Sequence, residues 1–237
     1  NIEHLASHDS LTGLYNRTKF MECLVAEVAL ARRQQGRLAV LYLDLDGFKP
    51  INDTHGHAAG DQVLVWVGQT LRRVARESDF VARLGGDEFA VLQRGIDHYD
   101  QAVALAQRLA DALSQPWTLG KLRVQVGASI GIALYPEHGG DPESLLAAAD
   151  QAMYDAKHLG RNRMSYFTPS MQAHAEKRMR LVGDMHLALQ QGQFCMVFQP
   201  IVDLGSGLTS GFEALVRWPQ ASSRQIGPDV FIPLAES

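Results

Sequence analysis

The 237-residue chain is 46% hydrophobic and 20% charged, the balance of a soluble globular protein with room for one large domain or one domain plus part of another. A formal net charge of −4 speaks against a general nucleic-acid binder, and no run of about 18 apolar residues is present to cross a membrane. Cys23 and Cys195 lie far apart without metal-ligand spacing and read as small buried hydrophobes of a reducing compartment. Because the chain opens on Asn1 and carries no signal-peptide pattern, the expectation is a cytoplasmic fragment, with any membrane anchor or sensor lying upstream.

Residues 1–17 read as an entry loop, with Asp9 and Ser10 as turn or cap formers and Gly13 interrupting any helix. Over residues 18–35, Phe20, Leu24, Val28 and Ala31 recur at helical spacing, and Gly36 ends the helix. Residues 37–46, RLAVLYLDLD, form a nearly continuous apolar run, the pattern of a buried central strand. This strand closes on Asp44 and Asp46, two residues apart and therefore on one face. A strand end fixes a carboxylate in place, which suits a metal ligand; one of the two could instead be a satisfied turn acid. Residues 47–61, GFKPINDTHGHAAGD, are too polar for core and are expected as a loop dense in functional groups: Lys49, Asn52, Asp53, His55, His57 and Asp61. Two histidines are too few to predict zinc. Asp61 precedes a helix with Val63, Val67, Leu71 and Val74 on one face, and its structural role there would be an N-cap.

Residues 76–79 end that helix, and Arg76 and Asp79 at i, i+3 would ordinarily make a weak ion pair. Residues 80–84 and 87–93 are short strands joined by Gly85-Gly86, a tight hairpin turn whose central positions need φ > 0. Asp87 and Glu88 would start the second strand, two adjacent carboxylates that call for a cation unless the tip is merely solvated. An amphipathic helix follows over residues 100–114, on Val103, Ala106, Ala110 and Leu113. Strands are expected at 117–119, 122–126 and 129–135. Asp141-Pro142 is an N-cap with proline at the first helical position. The helix it starts turns Leu145, Ala149, Ala152, Met153 and Ala156 inward and stops at Gly160, where Lys157 and Arg161 would complement the helix dipole. Residues 164–167 form a closing strand. Beyond Thr168 comes a charged helix (170–191) with Leu181, Met185 and Leu189 on one face, then two strands at 194–203 and 209–218.

Helices and strands alternate with hairpins between them, so the fold is expected to be α/β of the α+β kind: a mixed central sheet flanked by helices rather than a doubly wound parallel sheet. Several spaced motifs accompany this order. They are DxLTGLxNR (Asp9 to Arg17), LDLDGFKPINDTHGHAAGD, RxxD (Arg76 to Asp79), Gly85-Gly86-Asp87-Glu88-Phe89, SIGIA (Ser129 to Ala133) and AMYDAKHLGRNR (Ala152 to Arg163). Together they resemble the GGDEF family, the diguanylate cyclases, which make cyclic di-GMP from two GTP. The resemblance implies a palm-like fold similar to nucleotide cyclases, a GGDEF domain over residues 1–167, and catalysis as a homodimer in which two GTP-loaded half-sites face each other. It further implies Mg²⁺ or Mn²⁺ held by Asp44 and Asp87 with a backbone carbonyl near Leu45, and either Asp87 or Glu88 acting on the 3′-hydroxyl. Gly85 and Gly86 would let backbone approach the phosphates, and Lys49, Lys157 and Arg161 would neutralise them. Asn52 and Asp61 would read guanine. Arg76 and Asp79 would form an inhibitory cyclic di-GMP site, with Arg108 as a second contact.

The tail resembles the start of an EAL phosphodiesterase, on Phe198 to Asp203, Gly211 to Trp218 and Phe231 to Glu236. The implied organisation is a linker helix at 168–192 and a partial EAL domain at 193–237, in which Glu213 would be a metal ligand of the complete domain. That family's TIM-type barrel needs about 250 residues, so this tail is an incomplete barrel start and no phosphodiesterase activity is expected from it. The competing reading is a catalytically silent GTP- or cyclic di-GMP-binding module that regulates an attached phosphodiesterase.

Overall fold

The computed structural model describes residues 6–119, 122–219 and 226–235. The chain divides into two compact units, the first ending at Gln172 and the second beginning at Ala173. In chain order the first contains α1 (Arg17–Gln34), β1 (Leu38–Asp46), α2 (Phe48–His55), α3 (His57–Val74), β2 (Phe80–Gly85), β3 (Glu88–Arg94), α4 (Asp100–Leu113), β4 (Trp117–Leu119), β5 (Leu122–Val124), β6 (Gly127–Tyr135), α5 (Pro142–His158) and β7 (Met164–Tyr166). Five strands make one mixed sheet in the order β2-β3-β1-β6-β7, antiparallel except for the β6–β7 pair. β4 and β5 pair separately.

β1 is central and buried on both faces, which explains its unbroken apolar run. Its odd-numbered residues Leu41, Leu43 and Leu45 join a core with Val63, Val67 and Leu71 of α3 and Leu105 and Leu109 of α4. The even-numbered Val40 and Tyr42 join a second core with Phe20 and Leu24 of α1 and Leu145, Ala149 and Met153 of α5. Strand alternation therefore sends Asp44 and Asp46 to the α5 face. α5 comes unusually near the sheet because Gly131 of β6 has no side chain. A methyl group there would overlap the Ala149 carbonyl oxygen and the Met153 nitrogen and lie 2.9 Å from the carbonyl carbon of Ala152. The cap expected for α5 is present: Asp141 accepts from the Ser144 backbone at 2.9 Å, with Pro142 in the first turn.

Several expectations are corrected. Residues 47–61 are not a loop: Phe48 and Ile51 pack against the core, and the segment folds as α2 and the start of α3. Asp61 is therefore inside α3, whose N-cap is Gly56, and caps nothing. The helix before the RxxD ends at Val74, so residues 76–79 form a turn in which Asp79 accepts from the backbone N–H of Arg76 at 2.9 Å rather than from its side chain. The hairpin turn is Gly86-Asp87, because Gly85 pairs with Glu88 across a bulge. Asp87 thus sits at the tip and Glu88 opens the strand. On α4 the inward residues are Ala102, Leu105, Ala106, Leu109 and Leu113, one position round from Val103 and Ala110. Cys23 is half-buried and Cys195 exposed, not both buried.

The second unit holds all but the first turn of α6 (Pro169–Gln190), then an antiparallel pair, β8 (Cys195–Val202) and β9 (Thr209–Arg217), and α7 (Pro228–Ala235). Leu181 and Ala188 of α6 pack with Trp218 and Phe231, while Leu189 is exposed. Among the described residues, no helix is long and apolar enough to cross a membrane.

The Gly131 contact gives a direct test. Gly131→Ala should cost about 3 kcal/mol of unfolding free energy in denaturant titration, since the obstacle is helix backbone that cannot rotate away. An unchanged midpoint would mean α5 is not pressed on β6 as described.

Candidate functional site

The C-terminal end of β1 collects most of the residues singled out from the sequence. Asp44 lies opposite Glu88 on β3 and opposite Ser129 on β6. Lys157, in the last turn of α5, meets Asp44 Oδ2 at 2.7 Å. Burial is the main influence on Asp44 and pushes its pKa up to about 6; the Lys157 contact opposes this, while the nearby charge of Asp87 adds to it. One lysine thus faces a buried carboxylate with a second carboxylate at close range. That surplus of negative charge fits a divalent cation. Among the described residues no three acidic, cysteine or histidine side chains converge as a ready-made cage. Two carboxylates are a donor set that suits an ion keeping water and substrate oxygens in its shell, as Mg²⁺ does. Leu45 lies beside both: its backbone N–H donates to the Asp87 carbonyl at 3.3 Å and ties the hairpin tip to the strand end.

Asp46 has a different job. Its carboxylate accepts from Ser129 Oγ at 3.0 Å and from the backbone N–H of Asn162 at 2.8 Å, with Arg161 Nε 3.9 Å away. Arg161 and Asn162 are consecutive non-glycine residues in the left-handed region (φ 59° and 47°), a conformation that costs roughly 1–2 kcal/mol per residue. Asp46 is the satisfied acid of the pair, and what it satisfies is the strained turn carrying Arg161.

Glu88 accepts a hydrogen bond from the Tyr42 hydroxyl at 3.0 Å. Burial, with Glu88 nearby, pushes the Tyr42 pKa far up, so the phenol remains a donor. Asp87 has no such tether on its carboxylate among the described hydrogen bonds, and it sits half-buried in the turn, after the exposed Gly85 and Gly86. Gly85 and Gly86 both have positive φ, 152° and 48°, and a methyl group on either would meet nothing within 4 Å. Here glycine serves the turn and leaves open space beside it.

Arg83 was legible only as a strand residue, yet it clamps this tip. Its guanidinium donates to the Gly86 carbonyl at 2.7 and 2.9 Å and pairs with Asp9 at 3.2 Å. Asp9 in turn accepts from the Thr12 backbone at 2.8 Å and the Thr12 hydroxyl at 2.7 Å. Burial opposes its ionisation, but these bonds and Arg83 outweigh it and hold its carboxyl below the usual range. An arginine two residues before Gly-Gly in an otherwise apolar strand was the available signal for a carboxylate partner.

Lys49 is exposed on α2, and Asn52, one turn on, is half-buried. The Asn52 side chain rests against Gly60 of α3, the residue before the exposed Asp61. Arg76 and Asp79 stand apart from this group. Arg76 lines a cleft of about 410 Å³ with Glu27, Arg37, Ser78 and Arg94, and Asp79 Oδ1 is buried without a hydrogen-bond partner. Arg108 is exposed on α4.

A mixed five-stranded sheet whose central strand ends in carboxylates, with a helix-borne lysine above them and a glycine-tipped acidic hairpin beside them, is a GGDEF-like α/β fold. The sequence model described as diguanylate cyclase, GGDEF domain, matches residues 6–163, and that of the EAL domain matches residues 183–237. The isolated GGDEF domain of YfiN (TpbB) from Pseudomonas aeruginosa is 43% identical, superposes with a TM-score of 0.70, and covers 71% of this chain and 99% of its own. The coiled coil and GGDEF domain of DgcB from Caulobacter crescentus, solved in complex with c-di-GMP, is 30% identical with a TM-score of 0.65, over 70% of this chain and 87% of that one. The bifunctional diguanylate cyclase/cyclic di-GMP phosphodiesterase MucR of P. aeruginosa is 43% identical over 98% of this chain and 34% of its own length. The chain belongs to the GGDEF family, with the beginning of an EAL segment after the GGDEF domain. It spans about one third of the length of the curated relatives it matches.

The raised pKa of Asp44 has a consequence for the ligand-free protein. Between the unfolded value near 3.8 and about 6, the folded state keeps a proton that the unfolded state has released. Stability is therefore lost as pH rises through that window, and the cost is complete above about 6. Asp44→Asn should raise the melting temperature at pH 7.5, by on the order of 5 °C, with the gain vanishing by pH 4. A gain independent of pH, or a loss at pH 7.5, would contradict this assignment.

Proposed function

We propose that the first unit is a diguanylate cyclase that joins two GTP molecules into cyclic di-GMP with release of two pyrophosphates, working as a homodimer. The observation that supports this best is the pairing of an under-neutralised buried Asp44 with Asp87 at a glycine hairpin tip, directly beneath Lys157. In each step the 3′-oxygen of one GTP attacks the α-phosphorus of the other. The new P–O bond forms as the bond to pyrophosphate breaks, and the hydroxyl proton leaves. Asp44 and Asp87, with the main chain at Leu45, would hold Mg²⁺ or Mn²⁺. Bound there, the ion supplies charge neutralisation on the phosphates and acidifies the hydroxyl.

The chain's own groups account for the rest. Lys49, Lys157 and Arg161 offset triphosphate charge. The open backbone at Gly85 and Gly86 lets phosphate oxygens approach the hairpin. Asn52 presents an amide to guanine O6, and Asp61 a carboxylate to its N1 and N2 donors; adenine offers the opposite pattern at those edges. Glu88, held by Tyr42, is the fixed carboxylate, and Asp87 the one free to engage the ion. We assign proton acceptance from the hydroxyl to Glu88 on that basis. Arg76 and Asp79 are proposed as the product-binding pair, the arginine on guanine O6/N7 and the carboxylate on its N1/N2 donors.

A second reading rests on relatives: NbdA of P. aeruginosa, 40% identical over the whole chain, is named a cyclic di-GMP phosphodiesterase. There the GGDEF unit would bind nucleotide and regulate a complete EAL domain.

Incubation with GTP and Mg²⁺, product read by mass spectrometry, separates the two. The cyclase reading expects cyclic di-GMP from the wild type and a loss of about 1,000-fold or more in Asp87→Ala, with excess ATP leaving the rate within about twofold. Nucleotide binding by a dimer that yields no product favours the regulatory reading. Linear product from added cyclic di-GMP is not expected from this chain, and its appearance would show that the EAL segment is catalytic as it stands.

A further inference from the structure

Gly60 stands four residues into α3, buried, and its backbone is ordinary right-handed helix. It is absent from the positive-φ glycines. Nothing in the conformation calls for glycine, and glycine there sacrifices about 1 kcal/mol of helix propensity relative to alanine. The reason lies in what would surround a side chain. A methyl carbon on Gly60 would overlap Asn52 Oδ1 outright, lie 2.9 Å from Asn52 Cγ and come within 3.2 Å of Phe48 Cζ. The nearest obstacle is thus the polar end of a side chain, not a wall of core atoms. Asn52 belongs to α2, whose last turn runs into Gly56, the N-cap of α3; the Gly56 N–H donates to the Asn52 carbonyl at 2.8 Å. The α2 backbone is therefore held at that point, and relief of the overlap must come from rotation of the Asn52 side chain. Asp61, the next residue after Gly60, is exposed and projects from another side of the helix, so it need not move with it.

We propose that Gly60 is a specificity-determining position: its missing side chain is the seat on which the Asn52 amide rests beside Asp61, and a side chain there turns Asn52 away from the guanine O6 edge while leaving the Asp61 contact in place. This rests on the reading of Asn52 and Asp61 as guanine readers. Gly60 touches no substrate; it acts through Asn52, as a positioning residue.

Equilibrium binding to the full chain, with Ca²⁺ in place of Mg²⁺ so that the nucleotides are not consumed, tests it without requiring turnover. The probes are GTP, 6-thio-GTP, which replaces O6 by a weaker acceptor but keeps the N1 and N2 donors, and ITP, which lacks the 2-amino group. Wild type should prefer GTP over 6-thio-GTP by about tenfold. Asn52→Ala should abolish that preference; if it does not, the guanine-reading assignment itself is wrong and the inference falls with it. Given that loss, Gly60→Ala should bring the GTP/6-thio-GTP ratio to within about threefold of unity while keeping the wild-type preference for GTP over ITP. The double variant Gly60→Ala/Asn52→Ala should match Asn52→Ala alone, because a residue acting only through Asn52 has nothing left to act on. A Gly60→Ala protein that keeps the full O6 preference, or loses both preferences equally, overturns the proposal. Should Gly60→Ala unfold at a lower temperature than wild type, replacing Asn52 by glycine must restore it. Failure to recover would place the obstacle at Phe48 instead and also overturn the proposal.

Discussion

The register of β1 between its two neighbours is the constraint on which the site depends. Pairing of Asp44 with Glu88 on one side and Ser129 on the other brings an acidic strand end, an acidic hairpin and the β6 strand to one level of the sheet. A slip of one residue would send both aspartates to the opposite face, away from α5. That slip is blocked by burial: all but the last residue of β1 are buried, and both faces are committed to separate cores. The hydrophobic effect that fixes the strand therefore also fixes two carboxylates where solvent alone would not hold them.

Given that register, the two aspartates divide the work. Asp46 is fully hydrogen-bonded and converts its charge into structure, stabilising the left-handed turn at Arg161 and Asn162. Asp44 is left with one lysine and an acidic neighbour, and burial, with the charge of Asp87 added, holds its pKa above the usual carboxylate range in the ligand-free chain. Such an arrangement costs stability, a cost that the proposed cation site would account for. Close packing places the groups around it. Gly131 lets α5 lie on the sheet, which carries Lys157 to Asp44, and Gly60 leaves room for the Asn52 side chain of α2 against α3.

Much of this was legible in the sequence because strong periodicity marks buried elements. β1 and the inward face of α5 with its Asp141 cap follow from patterns with one physical reading each; the β2–β3 hairpin does too, though its turn lies one residue on, at Gly86-Asp87. The segment from Gly47 to Asp61 was misread because polar side chains on short helices look like a loop when only two or three positions per helix face the core. The error at Asp61 followed from that, since a carboxylate before an apolar run resembles a cap. Arg83 and Gly60 were invisible as actors because their meaning lies in partners elsewhere in the chain, Asp9 and Asn52; for Asp46 the sequence offered a satisfied acid but not its partner, Asn162. Motif resemblance supplied the chemistry, with Asp44 rather than Asp46 as the expected ligand, and geometry supplied what Asp46 does instead.

The most direct test is a crystal structure of the chain with Mg²⁺ and a GTP analogue that cannot lose pyrophosphate. The account predicts an ion on the Asp44 and Asp87 carboxylates, triphosphate over the Gly85-Gly86 backbone near Lys157, and the guanine between Asn52 and Asp61. A nucleotide bound elsewhere, or bound with Asp44 paired only to Lys157 and no ion on it, would contradict the account.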